Sequence, residues 1–398
     1  MQDKNYGICP KRIKSELYLQ KRRMNDAEIL DLYTDYLVSS FSKTTSQGLS
    51  NLLDQAVSHD RISRMLGKRE LTQKDYWQAV KPIVRRTQTP HGIIKIDDTI
   101  EEKPHSTENE IICWHWDHSK KRNIKGINIL NFVYQPTIEM DFSIPIAFEI
   151  IHKTEPFLDT KTDKIKRRSD VCKNELVRRR LRIIHQFNKV EFQTLVWDSW
   201  FSSNENMEFV QKELKKDFVG AIKSNRKAAL SLEAKQQGQF KTIAELCTQK
   251  DQTLQVWLKG LDFPVLIAKR IFTNKDLSTG ELFLVSNNLN YTAPNLFNTY
   301  DKRWGIEDFH RSIKQNVGLE KSPTKLEVTQ SNHIFAAMLA WIKLEILSCK
   351  EHMTHYAFKS KLYFKALKAA FGELQELKKK QLLQIDKPRQ TQTMSLLT

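Results

Sequence analysis

The segment Tyr300-Asp-Lys-Arg303-Trp-Gly-Ile-Glu307-Asp-Phe-His-Arg-Ser-Ile-Lys314 carries a phenol, two cations and a carboxylate at helical spacing. An uninterrupted α-helix turns about 100° per residue, which gathers Tyr300, Arg303, Glu307 and Lys314 within about 60° of one another. Ile306, Phe309 and Ile313 fall on a separate apolar side suited to a core. Cations around a single Glu suit an anionic ligand. A metal on the carboxylate and a phosphate on the cations would employ all four residues. The competing reading is a solvated helix face with weak ion pairs.

Two further acids tilt the balance. Gly92-Ile-Ile-Lys-Ile-Asp97-Asp98-Thr is an apolar, β-branched run that ends in acids, and Leu195-Val-Trp-Asp198 is another. A charge ending a buried strand is costly to desolvate unless it reaches water, a cation or a metal. One of Asp97 or Asp98, together with Asp198 and Glu307, would offer Mg²⁺ or Mn²⁺ the oxygen ligands these ions prefer. Two ions about 3.5–4 Å apart clamp the attacking and leaving oxygens of a phosphoryl displacement. Either Asp taken alone is a common strand-end turn residue. His115 and His118 have no partner ligands at fixed spacing and read as structural or surface residues.

The elements that position these groups sit in a chain of 398 residues, enough for two or three domains. Lys and Arg number 64 against 47 acids, a net charge of +17 that suggests a polyanionic partner, nucleic acid before membrane. No continuous apolar run approaches the roughly 20 residues that span a bilayer. The first residues lack the basic-then-apolar layout of a secretion signal. Five scattered cysteines, without a C-x2-C pair, support neither a zinc site nor a disulfide framework. A reducing cytoplasmic setting is expected.

Residues 1–88 read as helical, with Ser58 as a cap and Gly67 as a stop. Short helices on either side of Gly67 could form a helix-turn-helix in which Arg61 and Arg64 meet DNA; a small helical bundle with a charged surface is the alternative. From residue 92 the order is three strands, helix, strand, helix, strand, which predicts a mixed α/β sheet. Pro145 marks the third strand as irregular or at an edge. The polar stretch 153–171 reads as a loop and 226–281 as a β-rich insertion. Thr292-Ala-Pro294 starts one long helix carrying Glu307, and the chain is helical from there to its end.

Tyr300-x2-Arg303-x3-Glu307-x6-Lys314 resembles the Y-R-E-K signature of DDE transposases from bacterial insertion sequences of the IS-four type. Ile96-Asp97-Asp98-Thr99 is similar to that family's first-acid strand and Leu195-Val-Trp-Asp198-Ser to its second. The resemblance runs over about 92–325. It implies a ribonuclease H-like catalytic core at 89–325 with a β-rich insertion, flanked by a helical DNA-binding region at 1–88 and a helical region at 326–398 that could dimerise. It implies cut-and-paste DNA transposition with Mg²⁺ or Mn²⁺, two ions, held by Asp98, Asp198 and Glu307. Asp98 is preferred because the family's first acid directly precedes the Thr; Asp97 stays open. Tyr300, Arg303 and Lys314 would bind phosphates of the transposon end, and Trp257 or Phe283 could hold a flipped base, although a core role suits both better. The partners implied are terminal-repeat and target DNA and a second copy of the chain, in a bacterial cytoplasm at the nucleoid. The alternatives are a catalytically silent, domesticated DNA-binding protein and another metal-dependent nuclease of the same fold.

Overall fold

The computed structural model describes residues 24–117, 120–137, 142–160, 162–274 and 276–385. His118 and Cys9 lie outside the described residues. Four helices come first: α1 (Asp26–Ser39), α2 (Ser46–Leu52), α3 (His59–Gly67) and α4 (Gln73–Thr87). Reciprocal side-chain caps start α1 at Asn25 and Glu28 and α4 at Thr72 and Asp75. Strands β1 (Ile93–Glu102), β2 (Ile112–Asp117), β3 (Arg122–Gln135) and β4 (Ile144–Ile150) follow, then a hairpin of β5 (Glu155–Asp159) and β6 (Lys164–Arg168). Next come α5 (Lys173–Arg182), β7 (Thr194–Trp197), α6 (Asn204–Glu208) and β8 (Asp217–Ile222). Then come β9 (Lys227–Ala229), α7 (Leu232–Gln236), β10 (Lys241–Thr242), α8 (Ile243–Leu246), β11 (Thr253–Leu258), β12 (Val265–Thr273) and β13 (Thr279–Ser286), the segment read above as an insertion. Among the described residues four α-helices follow: α9 (Ala293–Asp301), α10 (Trp304–Asn316), α11 (Glu327–Lys350) and α12 (His355–Ile385).

Eleven strands of the described residues form one sheet in the order β10-β9-β11-β12-β13-β8-β7-β1-β3-β2. The long β3 also carries β4 on its outer edge. At the centre, β1 runs parallel to β7 and β7 to β8, while β3 is antiparallel to β1 and to β4. The β3–β4 ladder slips at Phe132/Val133, beside the pair Val133–Pro145, where proline cannot donate. The insertion strands continue this same sheet, because β13 pairs with β8.

Strand alternation divides the sheet into two working faces. Asp97, Asn131 and Phe148 lie side by side on one, and Asp98, Leu130 and Glu149 on the other. Helix α10 covers the Asp97 face, where His310 meets Asn131 at 3.0 Å. Helix α5 covers the Asp98 face, where Arg180 pairs with Glu149. Helix α9 lies on the first face further along, in an apolar layer with Ile93, Val196, Val219 and Leu284.

Helix α11 is long and apolar enough to cross a membrane by composition, yet most of it is buried within the protein. Helices α1, α3 and α4 pack on α11. Tyr33 Oη meets His333 Nδ1 at 2.9 Å, and Asn332 receives a hydrogen bond from Leu71 N and donates to Leu66 and Arg69 carbonyls. Helix α3 packs on α2 and α11, and α4 on β4 and α11.

Three expectations are corrected here. The stretch 153–171 contains the β5–β6 hairpin rather than only loop, and β2 adds a strand beside β3. The helix carrying Glu307 is not continuous from Thr292: at Lys302–Arg303 the bonding tightens, with Arg303 N on Tyr300 O at 2.9 Å and Ile306 N on Arg303 O at 2.9 Å.

Candidate active site

The site begins at the parallel pair β1–β7. Ile96 is level with Trp197, so one residue further Asp97 and Asp198 stand beside each other, both on the face that α10 covers. Asp97 Oδ1 accepts from Asp98 N at 2.8 Å, and Asp198 Oδ1 accepts from Trp200 N at 2.9 Å. Burial, and then the charges of Asp198 and Asp98, push the Asp97 carboxyl up to about 7. Burial also raises Asp198, against the pull of Trp200 N–H and Arg303.

Asp98, favoured by the likeness, faces the opposite way. Its Oδ2 accepts from Lys173 Nζ and from Asn128 Nδ2, each at 2.8 Å. Lys173 opens α5, and its ammonium also lies 5.7 Å from the Trp200 ring centre. Asp98 is thus a satisfied carboxylate on the α5 face.

Arg303 occupies the α9–α10 junction and reaches into the acids. Its Nη1 lies 2.7 Å from Glu307 Oε1 and 3.8 Å from Asp97 Oδ2. Its guanidinium is sandwiched near the Tyr300 and Trp304 rings, at 5.6 and 5.4 Å. A Cβ at Gly305 would lie 2.5 Å from Lys95 Nζ, so a larger residue there would have to move that lysine. The expected stripe of four is therefore split. Tyr300 is 7% exposed and belongs to the apolar layer under α9. Lys314 Nζ donates to Ile100 O at 2.6 Å and lies 3.6 Å from Glu320. His310 shares the Glu307 side of α10, and burial drives its pKa down to about 3, which keeps it neutral.

The donor set Asp97, Asp198 and Glu307 is all oxygen, partly buried and short of positive charge, which suits a hard divalent cation. These acids do not close to within 4.8 Å of one another as a set; among the described residues the trio that does is Glu110, His152 and Glu327. Of the other expected residues, Arg61 pairs with Asp26 at 2.9 Å, and Arg64 is exposed beside a cavity of about 400 Å³ under α3. Phe283 is buried in the core and Trp257 lies under Lys235. His115 is buried, with its pKa lowered by burial to about 3. Lys173, Asn128 and His310 had no spacing signal, since each matters only through a neighbour on another element.

Residues 18–239 match the family described as DDE superfamily endonuclease. The chain belongs to the DDE superfamily endonucleases. Residues 173–343, which span Asp198, Arg303 and Glu307, match the Transposase DDE domain. No curated protein matches the chain. A solved structure titled "Drosophila P element transposase strand transfer complex" is similar over 89% of this chain and 87% of that one, at 9% identity and a TM-score of 0.28. Membership of the DDE superfamily endonucleases supports a transposase and nuclease activity for this chain.

Proposed function

We propose that this DDE endonuclease is a cut-and-paste transposase of the IS-four type, with Asp97, Asp198 and Glu307 as its acid triad. The observation that carries the reading is the register of β1 and β7, which sets Asp97 and Asp198 together beneath the helix that bears Glu307. Asp97 replaces Asp98 as first acid because Asp98 is turned away and neutralised by Lys173. The order β4-β3-β1-β7-β8, with β3 alone reversed, supports a ribonuclease H-like core.

Bound Mg²⁺ or Mn²⁺ supplies Lewis acidity at the scissile phosphate. Asp97 would present an oxygen from the middle of β1, Asp198 one from just past the end of β7, and Glu307 one from α10. Arg303 and the exposed Arg64 offer charge to DNA phosphates. Tyr300 and Lys314 serve the site indirectly, by fixing α9 and α10 to the sheet. The exposed apolar row Phe364, Leu367, Phe371, Leu374 on α12 is offered to a second copy when two transposon ends are joined. The setting is the bacterial cytoplasm, at the nucleoid.

The test uses the full chain, Mg²⁺ and duplexes carrying the inverted repeats that bracket its gene. Strand cleavage and joining are expected. Glu307→Gln should bind the same ends and leave them uncut. Cutting at the wild-type rate by that variant removes Glu307 from the site, and binding without any cutting by wild type identifies a silent DNA-binding protein.

A further inference from the structure

Arg303 is the only one of the Tyr300, Arg303 and Lys314 set whose charge is directed into the acids. Its side chain is 13% exposed, with Nη1 between Glu307 and Asp97. Its charge is also felt at Asp198. The guanidinium therefore stands among three carboxylates, in the region a divalent ion would enter. Its Nε is buried and has no hydrogen-bond partner, so this pose leaves one donor of the guanidinium unused.

A guanidinium and a divalent ion cannot share that space without strong like-charge repulsion. Arg303 sits at the junction of two helices and has no side-chain capping duty at α10. The neighbouring Trp304 is 56% exposed, and its ring already lies 5.4 Å from the guanidinium in the pose among the acids. It gives a turned-out Arg303 an aromatic surface to rest on, at the rim where a phosphate would pass.

We propose that Arg303 is a displaceable counter-ion: it holds the acids until divalent ions enter, then swings outward to a DNA phosphate. Metal loading and the grip on DNA are thereby coupled through one side chain, and coupling between sites is reciprocal. The inference rests on the reading of Asp97, Asp198 and Glu307 as metal ligands.

The experiment titrates the full chain with Mn²⁺ alone, without DNA, and follows free Mn²⁺ by electron paramagnetic resonance. Arg303→Gln is expected to bind Mn²⁺ about tenfold more tightly than wild type, within the usual range of coupling between sites. Asp97→Asn should lose the site in either background. If wild type binds Mn²⁺ through Asp97 and Arg303→Gln binds no more tightly, the counter-ion role is overturned and the metal site stands. If no Mn²⁺ site depends on Asp97, the reading of the acids fails and this inference with it. A wild-type measurement covers a variant that does not fold. Modification of Arg303 by phenylglyoxal, mapped by mass spectrometry, should speed up when Mn²⁺ is added; an unchanged or slower rate overturns the proposal.

Discussion

Asp97 and Asp98 are adjacent in sequence and live in different electrostatic surroundings. Asp98, on the α5 face, has a lysine and an asparagine amide at 2.8 Å each. Asp97, on the α10 face, has another aspartate beside it and an arginine at 3.8 Å that is more tightly engaged with Glu307. The first carboxylate is complete within the protein. The second is left wanting a cation, and its pKa is pushed up to about 7. Unmet charge marks a binding group better than the mere presence of an acid does.

The sharpest way to break this contrast is to remove each carboxylate separately. Asp97→Asn should lower DNA-end cleavage by about 10³-fold or more, in the range seen when groups acting as a unit are removed. Asp98→Asn should lower it by no more than about tenfold. Equal losses, measured in single-turnover cleavage, would erase the distinction between the two faces.

A second measurement uses the Asp97 face further along β1. Glu101 is fully buried and paired with Lys103 at 2.5 Å, yet burial still raises its pKa to about 7. A carboxyl with a raised folded-state pKa gives stability that is complete below its unfolded value near 4.5 and is lost as pH rises through about 7. Urea unfolding between pH 4.5 and 7.5 should show that decline, of the order of 1–3 kcal/mol. In Glu101→Gln this component should be absent.

On the α5 face, Lys173→Met leaves Asp98 partly buried without its cation. A loss of about 1–2 kcal/mol in stability is expected. Combining it with Asp98→Asn should recover part of that loss, as a double-mutant cycle would show. Additive losses would mean that the pair is not coupled.

The smallest effect lies outside both faces. Arg64→Ala should weaken DNA binding modestly and lower the salt dependence by about one charge if it touches a phosphate. An unchanged salt slope assigns Arg64 to the protein surface alone.

The residues explain what could be read in advance. Apolar runs ending in acids announced β1 and β7, because a central parallel strand is buried on both sides. The choice between Asp97 and Asp98 was not legible, since a strand reverses its side chains at every residue and only the neighbours reveal which face holds what. The break between α9 and α10 was hidden for a similar reason. Lys302 and Arg303 keep right-handed helical backbone angles, and the fit there involves Gly305 against Lys95, a residue on β1. The β5–β6 hairpin escaped notice because its strands are exposed and lack apolar alternation. The docking of the first helices on α11 depends on contacts such as Tyr33 with His333, which no local pattern encodes.

The pairing of β13 with β8 also bears on solubility. Cutting out β9–β13 would strip β8 of one neighbour and leave its main-chain donors and acceptors bare, one strand from Asp198. Such an edge invites aggregation. A shortened chain would therefore need β8 covered, or its edge blunted by charge or proline, to stay soluble.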